Sequence, residues 1–239
     1  MLDTLSTKAK NLLERRPRDL RGQPSKLAEL EEILAKFNCP VDHPIVPFQL
    51  ALGGYFYFVR GQETNLKKLG VPNDAYIDNY MQHWFCECLE ENSTQCEIVM
   101  DENGQIYYNA YGGYEVVSFS SASVFIENDA MFDSLFDLSP SWYRIQMGFD
   151  LEQAKHLEIE LCAAGFEPLA EATDEFSGWW ISSETIINRF RIWEPKKLWF
   201  SFSVFGLKVE NIEEVEKKVF NKLDIQPVNK DIGMIKMRS

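Results

Sequence analysis

The stretch Gln95-Cys96-Glu97-Ile98-Val99-Met100-Asp101-Glu102-Asn103-Gly104-Gln105-Ile106-Tyr107-Tyr108-Asn109 decides the fold class. Two short apolar runs flank an Asp-Glu-Asn-Gly turn, in which glycine supplies the backbone angle that a tight reversal needs. This predicts an antiparallel hairpin with strands over 95–100 and 105–109. Tyr111-Gly112-Gly113-Tyr114 then predicts a second turn into a strand over 115–119. Ser121 or Ser123 is placed to cap a helix through Phe125, Ile126, Met131 and Phe132.

Upstream of the hairpin the pattern is helical. Residues 1–21 read as a polar amphipathic helix with a basic patch, Arg15-Arg16-Pro17-Arg18. Gly22-Gln23-Pro24-Ser25 interrupts it. Ser25 is placed to cap a second helix, where Leu27, Leu30, Ile33, Leu34 and Phe37 recur at helical spacing until Cys39-Pro40. A short apolar segment, Pro47–Leu52, meets Gly53-Gly54 and an aromatic run, Tyr55–Phe58, with strand character. In residues 74–90, Tyr76, Ile77, Tyr80, Met81, Trp84 and Phe85 fit helical spacing, and a helix is expected there.

Leu138-Ser139-Pro140-Ser141 marks the expected domain boundary. Beyond it come a strand over 142–149 and a helix from Leu151 to Ala164, capped by Asp150 and closed by Gly165. Strands follow over 166–171, 177–181, 186–192 and 198–205, then a helix capped by Asn211. The expected class is α+β. N-terminal helices pack on a mainly antiparallel sheet within residues 1–138, with 1–21 as a helical arm, and a second, smaller α+β domain spans 141–239.

Charge is distributed unevenly. The net charge is −13, and residues 41–140 carry fifteen Asp/Glu against three Lys/Arg. Such a block repels nucleic acid and anionic lipid and attracts basic partners. The basic stretch around Arg15, Arg16, Arg18 and Arg21 is short and reads as a solvated helix face. No apolar run reaches the length of a membrane span, and Met1–Ser6 lacks the order of a secretory signal. A cytoplasmic protein that binds neither nucleic acid nor membrane is expected. Five cysteines, an odd number, fit reduced thiols.

His83-x-x-Cys86-x-Cys88, with Cys96 eight residues on, offers imidazole and thiolate ligands of the type zinc takes. Small buried cysteines beside Trp84 and Phe85 account for the same pattern. His43, His83 and His156 are the only histidines, and none sits in a nucleophile signature. P-loop and G-x-S-x-G motifs are absent from the sequence. Neither catalytic residues nor a cofactor is expected. Trp179-Trp180 on a strand would point to opposite faces, leaving one available as an interface anchor unless both are buried.

Residues 24–135 resemble the SUKH superfamily of Smi1/Knr4-like and immunity proteins. The resemblance rests on the helix Leu27–Leu34, the apolar step into Gly53-Gly54, the hairpin Asp101–Tyr107, and the serine-led run Val117-Ser118-Phe119-Ser120-Ser121-Ala122-Ser123-Val124-Phe125-Ile126-Glu127. A Leu-Pro-x-Asp/Glu segment after the first helix is only approximated by Cys39-Pro40-Val41-Asp42, and no acidic residue or asparagine directly precedes Gly53-Gly54. The resemblance implies a non-enzymatic immunity protein that neutralises a toxin, often one acting on nucleic acid. Such a toxin needs a basic surface, which the acidic block would complement. Turn position, charge and aromaticity nominate Tyr55, Tyr57, Asp101, Glu102, Tyr107, Tyr111, Tyr114 and Glu115 as partner-binding residues. A scaffold or regulatory module, or a zinc- or ligand-binding protein built on His83, Cys86 and Cys88, are the alternatives.

Overall fold

The computed structural model describes residues 1–21, 24–60, 66–70, 75–77, 83–91, 97–110, 114–139, 141–191, 199–223 and 233–236. The fold is α+β, with two antiparallel sheets. The chain divides into two compact units, Met1–Asp133 and Ser134–Ser239.

The first unit opens with α1 (Thr7–Glu14), α2 (Leu27–Phe37) and α3 (Ile45–Leu52). A sheet follows, built of β1 (Phe56–Phe58), β2 (Leu66–Leu69), β3 (Ala75–Ile77), β4 (Trp84–Glu91), β5 (Glu97–Asp101), β6 (Ile106–Ala110) and β7 (Tyr114–Phe119). The strand order is β1-β2-β4-β5-β6-β7, and β3 shares with β2 the same edge of β4. The closing helix α4 (Ala122–Leu138) begins where the Ser121 hydroxyl accepts the Val124 N–H. Alternate strand residues (Cys86 and Cys88, Ile98 and Met100, Ile106) join Leu12 and Leu13 of α1, Leu30 and Leu34 of α2, Phe48 of α3 and Phe125 of α4 in one core. Phe85, Val99 and Tyr107 form a smaller cluster on the opposite face.

In the second unit β8 (Ser141–Asp150), β9 (Glu167–Pro168), β10 (Ser177–Ile181), β11 (Thr185–Arg191), β12 (Trp199–Gly206) and β13 (Gly233–Lys236) pair in the order β13-β8-β12-β11-β10-β9. Ile145, Met147, Phe149, Trp180, Ile187, Phe200, Phe202 and Val204 face α5 (Leu151–Ala163) and α6 (Val209–Lys218). Asp150 caps α5 through the Gln153 N–H at 2.8 Å, and Gly165 takes φ +89° just after its end.

Four expectations are corrected. The helix over 74–90 is replaced by β3 and β4, with 78–82 outside the described residues. In β4 both faces are apolar, Phe85 on one and Cys86 and Cys88 on the other, so helical spacing was satisfied by a two-sided strand. The arm 1–21 is helical only over Thr7–Glu14 after a single turn at Leu2–Thr4, because Pro17 keeps Arg16 out of helical geometry. Caps also shift. Lys26, not Ser25, precedes α2, with Glu29 accepting the Ser25 N–H at 2.9 Å. Lys208 precedes α6, with Asn211 in its first turn accepting the Lys208 N–H at 2.8 Å. Of the strand expected over 166–171, only Glu167–Pro168 pairs.

Candidate functional site

The acidic block turns part of its charge inward along α4. Lys67 of β2 lies 2.8 Å from each Asp129 oxygen, and the Tyr57 hydroxyl donates to Asp129 at 2.8 Å. The Lys67 ammonium also sits 4.9 Å from the Phe125 ring centre. Burial works against the ammonium, but the Asp129 carboxylate outweighs it and holds Lys67 above the ordinary lysine range. Burial, then the Asp129 charge, raises the Tyr57 phenol. One turn on, Asp133 receives Arg60 through its backbone N–H (3.0 Å) and guanidinium (2.8 Å), and Arg15 from the end of α1 in a two-point clamp. Burial acts to raise the Asp133 carboxyl, yet the Arg15 and Arg60 hydrogen bonds hold it below the usual carboxylate range. Glu127 accepts from the Ser6 N–H and from the Ser6 hydroxyl at 2.6 Å, bracing the residue that caps α1. These carboxylates all have donors, so the seam is a fastening between α1, β1, β2 and α4.

Arg15, Arg16 and Arg18 of the stretch taken as a solvated face also hold contacts, while Arg21 is exposed and pairs with Asp19 two residues away. Arg18 donates to the Gly53 carbonyl at 2.6 Å and lies 5.4 Å from the Tyr55 ring centre. Arg16 lies over Phe58 at 4.7 Å.

The metal-ligand set raised as an alternative from spacing does not assemble among the described residues. His83 Nδ1 is 2.7 Å from Glu102, Cys88 hydrogen-bonds the Ile98 carbonyl at 3.4 Å, and Cys96 lies outside the described residues. Cys86 instead meets Cys39 and His43, and one donor atom from each of the three falls within 4.8 Å of the others. The Cys39 and Cys86 sulfurs are 3.6 Å apart. Each residue is positioned by a different element. Asn38, at φ 58°, ends α2 in a left-handed turn that sends the Cys39 N–H to the Leu34 carbonyl at 3.0 Å. His43 sits in the turn before α3, its Nδ1 3.1 Å from the Ile45 N–H and its Nε2 3.4 Å from the Trp84 carbonyl. Cys86 is held between Ala75 of β3 and Met100 of β5. Burial lowers the His43 ring and keeps it neutral near neutral pH, while the hydrogen bond from Cys86 lowers the Cys39 thiol. Cys39-x-x-x-His43 was visible in the sequence, but nothing in its spacing points to Cys86.

The nominated contact residues divide. Tyr57, Asp101 and Tyr107 are buried, which corrects the exposure expected of them. The Asp101 carboxylate organises the hairpin turn by accepting the Asn103 and Gln105 N–H groups at 2.9 and 2.8 Å. Tyr107 packs edge-on against Phe85, with ring centres 5.0 Å apart. Tyr55 is half-buried beneath Arg18. Glu102 is exposed and its carboxyl is lowered by the hydrogen bond from His83. Tyr114 and Glu115 lie on β7 opposite Ala110 and Asn109, and Asn109 also pairs with Glu97, so the three positions share one end of the sheet. Tyr111 lies outside the described residues.

The described carboxylates of the acidic block are divided between core and surface. Asp101, Glu127, Asp129 and Asp133 are buried, Glu87 lies mid-strand opposite Val99, and other described carboxylates stand near the two ends of the sheet. Glu90, Glu91 and Glu97 stand at one end, Asp42 and Glu102 at the other. In the second unit Trp180 packs on Phe202 and Trp179 on Phe205, and both are buried, so neither is an exposed anchor. Among the described residues no helix is long and apolar enough to cross a membrane. Compared with protein-family models, with curated proteins and with solved structures, the chain matches none of them.

Proposed function

We propose that the chain is a non-enzymatic immunity-type protein that neutralises a basic, nucleic-acid-directed toxin in the cytoplasm by docking it on acidic surface. The observation that carries this reading is the excess of acidic over basic side chains outside the buried set of this block. Two of the three cations in residues 41–140, Arg60 and Lys67, are spent on Asp133 and Asp129, which leaves Lys68. Seven described carboxylates of the same block (Asp42, Glu87, Glu90, Glu91, Glu97, Glu102 and Asp137) are outside the buried set. Surface potential of that sign favours encounter with a protein whose own surface is built to hold phosphate. The order of elements, helices, Gly-Gly, antiparallel strands and a serine-led closing helix, agrees with the SUKH resemblance.

The favoured dock is the sheet end that holds Glu90, Glu97 and the β7 positions Tyr114 and Glu115. The test is to co-express the product of the adjacent upstream gene, co-purify the pair and measure the dissociation constant. The double variant Glu90→Lys/Glu97→Lys is expected to weaken binding by at least about tenfold, each reversed surface charge being worth of the order of 1 kcal/mol. Asp42→Lys at the opposite end should change it little. An acidic partner, or equal effects at both ends, would overturn the assignment.

A further inference from the structure

We propose that Cys39, His43 and Cys86 form a binding site for a thiophilic, zinc-class dication that pins the end of α2 and the start of α3 to strand β4. The proposal does not depend on the immunity reading.

Donor chemistry points first to the class of ion. Two sulfurs and an imidazole suit zinc and its borderline-soft neighbours, and hard cations such as magnesium or calcium take oxygen. Two thiolates would balance a dication within the site, which resolves the cost of burying either charge alone. Dimensions agree as well. Sulfurs bonded at about 2.3 Å to a tetrahedral ion lie about 3.8 Å apart, and these two lie 3.6 Å apart with the imidazole within 4.8 Å. A disulfide would require the sulfurs to close to about 2.05 Å.

Rigidity is the third point. The Cys39 backbone is fixed by the Leu34 carbonyl, and Cys86 is paired on both sides in the sheet, so the sulfurs meet without a flexible loop between them. The Trp84 carbonyl beside Nε2 is the kind of backbone acceptor that fixes the second ring nitrogen of a metal-bound histidine, leaving Nδ1 to exchange its Ile45 N–H contact for the ion. The described set has three donors, so a fourth position on the ion falls to water or another ligand.

Binding releases the two thiol protons to solvent and changes no oxidation state. The test uses the full-length chain, purified under reducing conditions, stripped with chelator and titrated with Co²⁺. One equivalent is expected, with thiolate-to-cobalt charge-transfer absorption and the visible bands of a tetrahedral site. Zn²⁺ should displace the cobalt and raise the melting temperature. Cys39→Ser and Cys86→Ser should each abolish the charge-transfer band, while Cys88→Ser, an equally buried neighbour on the same strand, should retain it. If Cys39→Ser and Cys86→Ser are folded by circular dichroism and still show the band, the assignment fails. It fails equally if the reduced wild-type chain takes up no cobalt, or if thiol counting finds Cys39 and Cys86 joined in a disulfide that excludes metal.

Discussion

Lys67 is the residue whose environment most constrains its replacement. Its ammonium is buried against Asp129, which among the described residues is held by Lys67 and the Tyr57 hydroxyl. Removing the cation strands a carboxylate in the core, which costs about 3–5 kcal/mol where such pairs have been cut. Lys67→Met is therefore expected to lower the urea midpoint sharply, and Lys67→Met/Asp129→Leu to recover much of the loss. A double variant no better than the single would show that the pair is not the source of the effect. The acid limb of the stability curve follows from two separate groups. His43 titrates lower in the folded chain than in the unfolded one, where it takes a proton near pH 6.5. Below that pH the unfolded state binds more protons, so stability falls with acid. Asp133 is also depressed, so its contribution is fully present above about pH 4 and is lost as pH falls further. Two successive losses are expected in denaturant midpoints from pH 8 to pH 3, the second much reduced in Asp133→Asn.

At the scale of elements, Gly53-Gly54 explains why α3 can hand the chain directly to β1. Gly54 takes φ +88°, and a Cβ there would stand 2.4 Å from the Asp19 carbonyl oxygen, whose own N–H donates to the Gly54 carbonyl at 2.8 Å. Gly165 has nearly the same backbone angle, φ +89°, with nothing within 4 Å of its Cβ position. Gly165→Ala should cost about 1–2 kcal/mol for conformation alone. Gly54→Ala should cost clearly more, and equal losses in melting temperature would refute the steric account. These turns were legible beforehand, as were the Asp101–Gly104 hairpin, the Asp150 cap and strands β8, β10, β11 and β12, because each is a local signal within a few residues, whereas β13 was not read. What escaped reading was non-local. Arg15 reaches Asp133 across 118 positions and Cys39 meets Cys86 across 47, distances at which spacing carries no information. The expected helix over 74–90 failed for a related reason: β4 buries both faces, and a two-sided apolar strand mimics helical periodicity.

At the scale of the molecule, the charge count has to be separated into what is inside and what faces water. Buried carboxylates paired with Arg15, Arg60 and Lys67 contribute little field outside, so the partner reading rests on the exposed carboxylates at the sheet ends. Such charges act mainly on encounter, and salt screens them. Raising ionic strength from about 0.1 M to about 1 M shortens the Debye length from about 10 Å to about 3 Å. For the co-purified partner, the association rate is expected to fall at least about tenfold over that range, with a smaller change in dissociation rate. In Glu90→Lys/Glu97→Lys the low-salt rate should already be depressed and its salt dependence flattened. Both constants can be read from one surface-plasmon series. An association rate indifferent to salt in the wild-type chain would mean that shape and apolar contact select the partner, and the acidic sheet end would then lose its role.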